Sequence, residues 1–147
     1  MKNKTTVTKG NQVNRNWHLI DLADKSIGRS AAQIAPLLMG KNKVNFSFHR
    51  DDGDYVVAIN AAKIKITGKK LKQKIYYRHS GYAGNLRELT LKQMMAKDPR
   101  RVVYLAVRGM LPKNKRRKPR LIRLKIFVDD KHQYIDKLKT KHHASQK

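Results

Sequence analysis

The chain contains no cysteine. That absence excludes a disulfide framework, thiolate metal sites and a thiol nucleophile, and it fits a reducing compartment. No apolar run approaches the ~18 residues that a membrane-spanning helix needs. Residues 1–16 carry no hydrophobic stretch either, so the sequence predicts a soluble protein without a secretory signal. Acidic residues are scarce and unevenly placed. Ten Asp and Glu face 35 Lys and Arg, a formal net charge of +25 over 147 residues. Two windows, Tyr55 to Arg87 and Pro99 to Val128, have no carboxylate at all. The second holds Lys113, Lys115, Arg116, Arg117, Lys118, Arg120, Arg123 and Lys125. Like charge at that density calls for a counter-charge, and a polyphosphate backbone is the obvious one.

What remains is enough for one folded unit. Hydrophobic residues make up 39 % of the chain, which supports a single core but not two. We expect a basic N-terminal arm over 1–16, mobile or ordered by RNA, one α/β domain over 17–128 and a polar C-terminal tail over 129–147. Trp17 to Leu22 reads as a short strand. Ile27, Ala31, Ile34 and Leu38 then recur at helical spacing, with Gly40 as the stop, and Pro36 on the solvent side predicts a bend. Tyr55 to Ile59 is a continuous apolar run of buried-strand length, and Ile64 and Ile66 alternate with lysines as a further short strand would. Thr67 to Lys70 marks a turn, and Ile75 to Tyr77 is strand again; where its rings do not stack on bases, the expected facing is Ile75 and Tyr77 inward with Tyr76 packed at the surface. Thr90 and Gln93 have the spacing of a capping box, so a helix should begin at Leu91. Asp98 and Pro99 have the pattern of an N-cap followed by a proline in the first helical position, opening a second helix through Val102, Val103, Ala106 and Met110, with a strand as the competing reading on its β-branched content. Beyond Pro112 we expect a basic loop, and from Leu121 to Val128 a last strand. Strands alternating with helices predict an α/β sandwich with a largely parallel sheet.

The chemistry in these residues points to binding. Lysine and arginine beside Pro112 and Pro119 can follow phosphates, and arginine can also stack. Lys69, Lys70, Lys72, Lys74 and Arg78, interleaved with Tyr76, Tyr77, His79 and Tyr82, combine charge with planar side chains, which suits RNA with splayed bases. The six histidines are scattered, whereas a metal site needs three or four converging ligands, so no metal is expected. Asp51, Asp52 and Asp54 could hold magnesium or act as an acid–base pair, but with Gly53 among them they read better as a polar turn paired with local lysines. Gly28-Arg29 and Gly68-Lys69-Lys70 complete neither a dinucleotide fingerprint nor a phosphate loop. His79 beside Ser80 is no catalytic signal. No catalytic set, cofactor or small-molecule substrate is expected.

Four blocks resemble the bacterial or organellar L-thirteen family of large-subunit ribosomal proteins. They are Trp17-His18-Leu19-Ile20-Asp21 with Ile27-Gly28-Arg29; Gly53 to Ala61; Thr67-Gly68-Lys69 with Lys74, Tyr76 and His79 to Tyr82; and Ala106 to Asn114. The chain departs from the family pattern at Ser30, at Asn85 and from His132 onward. The resemblance implies a three-layer α/β/α sandwich around a mainly parallel four-stranded sheet. It also implies a structural constituent of the large subunit, in the cytoplasm or an organelle, that binds large-subunit rRNA early in assembly, lies beside neighbouring ribosomal proteins and catalyses nothing. Together with the charge pattern it nominates as RNA-binding Arg29, Lys41, Lys43, Lys69, Lys70, Lys74, Tyr76, His79, Tyr82, Arg108, Lys113, Asn114, Lys115, Arg116, Arg117, Lys118 and Arg120. A free-standing nucleic-acid regulator and an RNA-modifying enzyme are the competing readings.

Overall fold

The computed structural model describes residues 13–139. The arm residues before Val13 and the tail after Lys139 lie outside that range. Strand β1 (Trp17–Asp21) leads to helix α1 (Ile27–Met39), which buries Ala31, Ile34 and Leu38 as the spacing predicts, with Ile27 partly buried and Ala35 added to the buried face. Gly40 ends the helix in the left-handed region at φ 79°, where its N–H reaches back to the carbonyls of Pro36 and Leu37. Strand β2 (Tyr55–Ile59) is buried along its middle three residues, and short strand β5 (Leu124–Ile126) lies on its far side. The order is β1-β2-β5, all parallel.

The sheet therefore has three strands rather than four. After β2 the chain makes a 3-10 turn at Ala61–Lys63, and Lys65 then forms only an isolated parallel bridge to Ser26, the N-cap residue of α1, outside the sheet. The turn directs the Asn60, Ala61 and Ala62 N–H groups to the carbonyls of Asp129, Phe127 and Val128, so the chain leaves the sheet here. Ile64 is buried all the same, so the alternation of Ile64 and Ile66 reflects burial without strand pairing.

One face of the sheet, through Val56, Ala58 and Leu124, packs on α1 and on helix α4 (Pro99–Met110) by way of Val103 and Val107. Burial of this aliphatic cluster supplies the main driving force of folding. The other face carries aromatic rings. Trp17 stacks on its cross-strand partner Tyr55 at 4.4 Å and on Tyr134 at 5.1 Å, with Tyr134 also edge-on to Phe127. The segment after Asp129 thus covers β1, and it continues into short helix α6 (Ile135–Lys139).

Between β2 and α4 the chain builds a second, smaller unit. Helix α2 (Lys70–Gln73) precedes strand β3 (Ile75–His79), which pairs antiparallel with strand β4 (Leu86–Thr90). Helix α3 (Leu91–Lys97) follows directly, and its capping box is complete: Thr90 Oγ1 accepts from the Gln93 N–H, and Gln93 Oε1 accepts from the Thr90 N–H at 2.9 Å. Asp98 caps α4 through the Arg100 N–H, with Pro99 in the first turn. Leu91, Met94 and Val102 form the satellite core that holds the hairpin, with Leu89 and Tyr76 packed against it. Among the described residues no helix is long and apolar enough to cross a membrane.

Candidate nucleic-acid interface

The acidic turn belongs to the fold. Arg123 grips Asp51 with both terminal nitrogens at 2.6 Å, and Arg120 Nε lies 3.4 Å from the same carboxylate. Arg123 also donates to the Leu38 carbonyl at 3.1 Å, tying β5 to the end of α1. Asp54 accepts from Lys43 Nζ at 2.6 Å, from the Asn16 N–H at 2.8 Å and shares a proton contact with His18 Nε2 at 2.9 Å. Arg50 faces Asp52 at 3.2 Å. Burial alone would raise the Asp51 and Asp54 carboxyls, but the hydrogen bonds and charges of Arg123 on the one and of Lys43, Asn16 and His18 on the other hold both below the usual range. Gly53 sits where no side chain fits: a Cβ there would lie 1.8 Å from the Leu38 carbonyl oxygen and 2.7 Å from Arg123 Nη2.

These contacts sort the nominated residues. Arg120 is only 3 % exposed and is held at Asp51, so in this conformation its charge serves the knot and cannot reach a phosphate. Lys43 is spent on Asp54 and on the carbonyls of Asn14 and Asp52. The basic loop past Pro112 is partly helical, since Arg117–Ile122 forms helix α5. Within it Arg117 donates to the Leu111 and Pro112 carbonyls, and Arg116 reaches the Phe48 carbonyl at 2.7 Å. Lys113, Asn114, Lys115 and Lys118 stay exposed, as do Lys41 and Arg29.

Three segments far apart in sequence converge on one groove of about 660 Å³. The start of α1 brings Gly28 and Arg29, the turn into α2 brings Thr67, Lys70 and Lys74, and the end of α4 brings Gly109 and Met110. Lys69 lies exposed on the same turn, where Gly68 takes the left-handed conformation at φ 66°. The walls are apolar and the rim is cationic. No carboxylate lines this groove.

The hairpin continues the basic surface and reverses the expected facing of its tyrosines. Tyr76 is the inward one: it pairs across the strands with Leu89 and packs on the satellite core, with Lys74 Nζ 5.3 Å above its ring. Burial raises its phenol pKa. Tyr77, at 63 % exposure, and Tyr82, at 75 %, are the rings left open. Strand parity fixes this, because Tyr76 directly opposes the apolar Leu89 while Tyr77 opposes Glu88. His79 Nδ1 accepts from the Gly81 N–H at 3.0 Å and shapes the tip. Arg78 lies directly opposite Arg87, and both line a groove of about 450 Å³ with His79, Ser80 and Asn85. Arg87 and Tyr77 were not among the nominated residues. The signal for Arg87 was the strand that its sequence conceals.

Residues 15–133 match the family model described as Ribosomal protein L13. The chain is 50 % identical over 129 residues to large ribosomal subunit protein uL13 of Thermotoga petrophila, covering 88 % of this chain and 87 % of that protein. It is 48 % identical over 132 residues to the uL13 of Lawsonia intracellularis, covering 90 % and 92 %. Against the uL13 of a Roseiflexus species it is 47 % identical over 129 residues, 88 % of each chain.

Proposed function

We propose, from the premise that this chain belongs to the ribosomal protein L13 family, that it is a structural constituent of the large ribosomal subunit in the cytoplasm and binds large-subunit rRNA early in assembly. It positions RNA and catalyses nothing. One observation carries the RNA-binding reading: Arg78 stands opposite Arg87 on an exposed hairpin, with neither in a salt bridge among the described residues. Like charges facing each other across a strand pair are destabilising, and a phosphate between them converts the repulsion into two charge-assisted bonds.

The rest of the basic surface supports the same reading. Arg29, Lys70 and Lys74 rim the groove at the end of α4 with Lys69 exposed next to Lys70 in the chain, His79 and Tyr82 stand at the hairpin tip, and Lys113, Asn114, Lys115 and Lys118 follow α4 in the chain. Charge neutralisation brings RNA segments together, and the α/β body fixes their relative placement. Shape outweighs base sequence in such contacts, although Tyr77 and Tyr82 offer rings for an unpaired base. Neighbouring large-subunit proteins complete the set of partners.

Binding of the full chain to a large-subunit rRNA transcript, measured across a salt series, tests this. The slope of log K against log salt should be about −4 or steeper. A flat response removes phosphate neutralisation from the mechanism, and failure of the tagged chain to co-sediment with large subunits removes the assignment itself.

A further inference from the structure

Helix α4 divides two grooves. Leu105 lines both of them. On one flank lies the groove already described; on the other lies a second, of about 430 Å³, lined by Arg100, Arg101, Tyr104, Arg108, Leu124 and Ile126. Arg101, Tyr104 and Arg108 are spaced three and four residues apart, so they form a single stripe along the helix. Among the described residues that line this groove Asp98 is the one carboxylate, and it is already engaged by Arg100 at 3.0 Å and by the helix start. Arg101 and Arg108 have no carboxylate partner among the described residues. The face holds two uncompensated guanidinium groups with a tyrosine ring between them.

The floor of this groove is an open sheet edge. Val56 N donates to the Arg123 carbonyl at 3.2 Å, and Phe127 N donates to the Ala58 carbonyl at 2.8 Å. By parallel-ladder geometry, Leu124 and Ile126 therefore turn their own N–H and C=O groups away from β2. These are fixed donors and acceptors beside a cationic helix.

We propose that the α4–β5 groove is a second RNA-contact site, in which Arg101 and Arg108 hold phosphates and Tyr104 stacks on a base or ribose between them. The inference rests on the rRNA-binding reading above and extends it: α4 becomes a ridge with RNA on both flanks. RNA is favoured over an added peptide strand because only Leu124 and Ile126 offer open edge groups, too few for a ladder, whereas the charge and the ring suit a nucleotide.

The test uses the full chain and a large-subunit rRNA transcript, with thermal melts confirming that each variant is folded. Arg101→Gln with Arg108→Gln should weaken binding at least fivefold at near-physiological salt and make the salt slope shallower by about 1.4 to 1.8, the loss of two phosphate contacts. Tyr104→Ala should weaken it about fivefold, and Tyr104→Phe should leave it close to wild type. Hydroxyl-radical footprints should lose protection at nucleotides that Lys113→Gln with Lys115→Gln leaves protected. Unchanged affinity and slope in the arginine double variant, while the lysine variant weakens, overturns the second site alone. Unchanged RNA binding with loss of a protein–protein crosslink in assembled subunits assigns the groove to a neighbouring protein and also overturns it. A wild-type chain that binds no rRNA removes both readings.

Discussion

Basic side chains around Asp51 and Asp54 and those on the hairpin of β3 and β4 have the same chemistry and opposite fates. In the first region Arg123, Arg120, Lys43 and His18 each find a carboxylate, and most of that contact is shielded from water. In the second, Arg78 and Arg87 find none among the described residues and stay exposed. Net charge in a sequence is therefore a poor count of what a polyanion can use. The usable part is what remains after the fold has drawn its own counter-ions from distant segments.

Breaking the knot should have the largest effect. Arg123→Ala leaves Asp51 with only the longer Arg120 contact and frees the Leu38 carbonyl; removing one partner of a buried pair costs about 3 to 5 kcal/mol, and the partly exposed Asp51 puts this variant at the lower end, about 3 kcal/mol. Urea unfolding would measure it, and a loss below about 1 kcal/mol, the level of a surface ion pair, would mean that the knot is no more than surface chemistry. On the opposite side of the comparison, Lys113→Gln, Lys115→Gln and Lys118→Gln together should leave the unfolding midpoint unchanged and weaken rRNA binding tenfold or more, with a salt slope shallower by about 2. Adding Arg116→Gln and Arg117→Gln should then lower stability as well, because those two hold the Phe48, Leu111 and Pro112 carbonyls.

A pH series sharpens the contrast. The Asp51 and Asp54 carboxyls titrate lower in the folded chain than in the unfolded one, so the stability they contribute is present above about pH 4 and is lost as pH falls through their folded values. Melting temperature should drop on that acid side, and Asp51→Asn, already less stable, should show a flatter profile there. The smallest effect belongs to the hairpin tip. His79→Gln keeps an acceptor for the Gly81 N–H, so incorporation into large subunits, scored by mass spectrometry of gradient-purified particles, should be near normal. Normal incorporation with collapsed translation or a lost RNA modification would contradict a purely structural role.

The elements with a local signature were legible in the sequence. β1, β2, α1, α3 and α4 each carry their own apolar run, period or cap, and Thr90, Gln93, Asp98 and Pro99 mark helix starts to the residue. β4 was not, because Leu-Arg-Glu-Leu-Thr is exposed for most of its length and so lacks a buried face to set an alternation. α5 was hidden by Arg117-Lys118-Pro119-Arg120, whose charges mimic a loop. The basic surface was visible as charge, but its division was not. Arg120 and Arg123 differ from Lys113 and Lys115 only through Asp51, which lies 69 and 72 residues away in the chain.

Those separations also order events during synthesis, which proceeds from the N-terminus. β2 has β1 beside it early, but its other neighbour, β5, emerges only after the hairpin, α3, α4 and α5 have been made. The hairpin closes on itself within a few residues, whereas the sheet and the Asp51 clasp both wait for the segment Arg123–Ile126. Loop-closure entropy makes this last joining the slow step. A nascent chain shortened before Arg123 would display a formed, arginine-bearing hairpin on an unfinished core, with Val56 and Ala58 lacking their partner strand. Such a truncation leaves apolar sheet residues open beside uncompensated cations, a combination prone to aggregate on any polyanion, so the final strand acts as the seal on a cationic surface assembled before it.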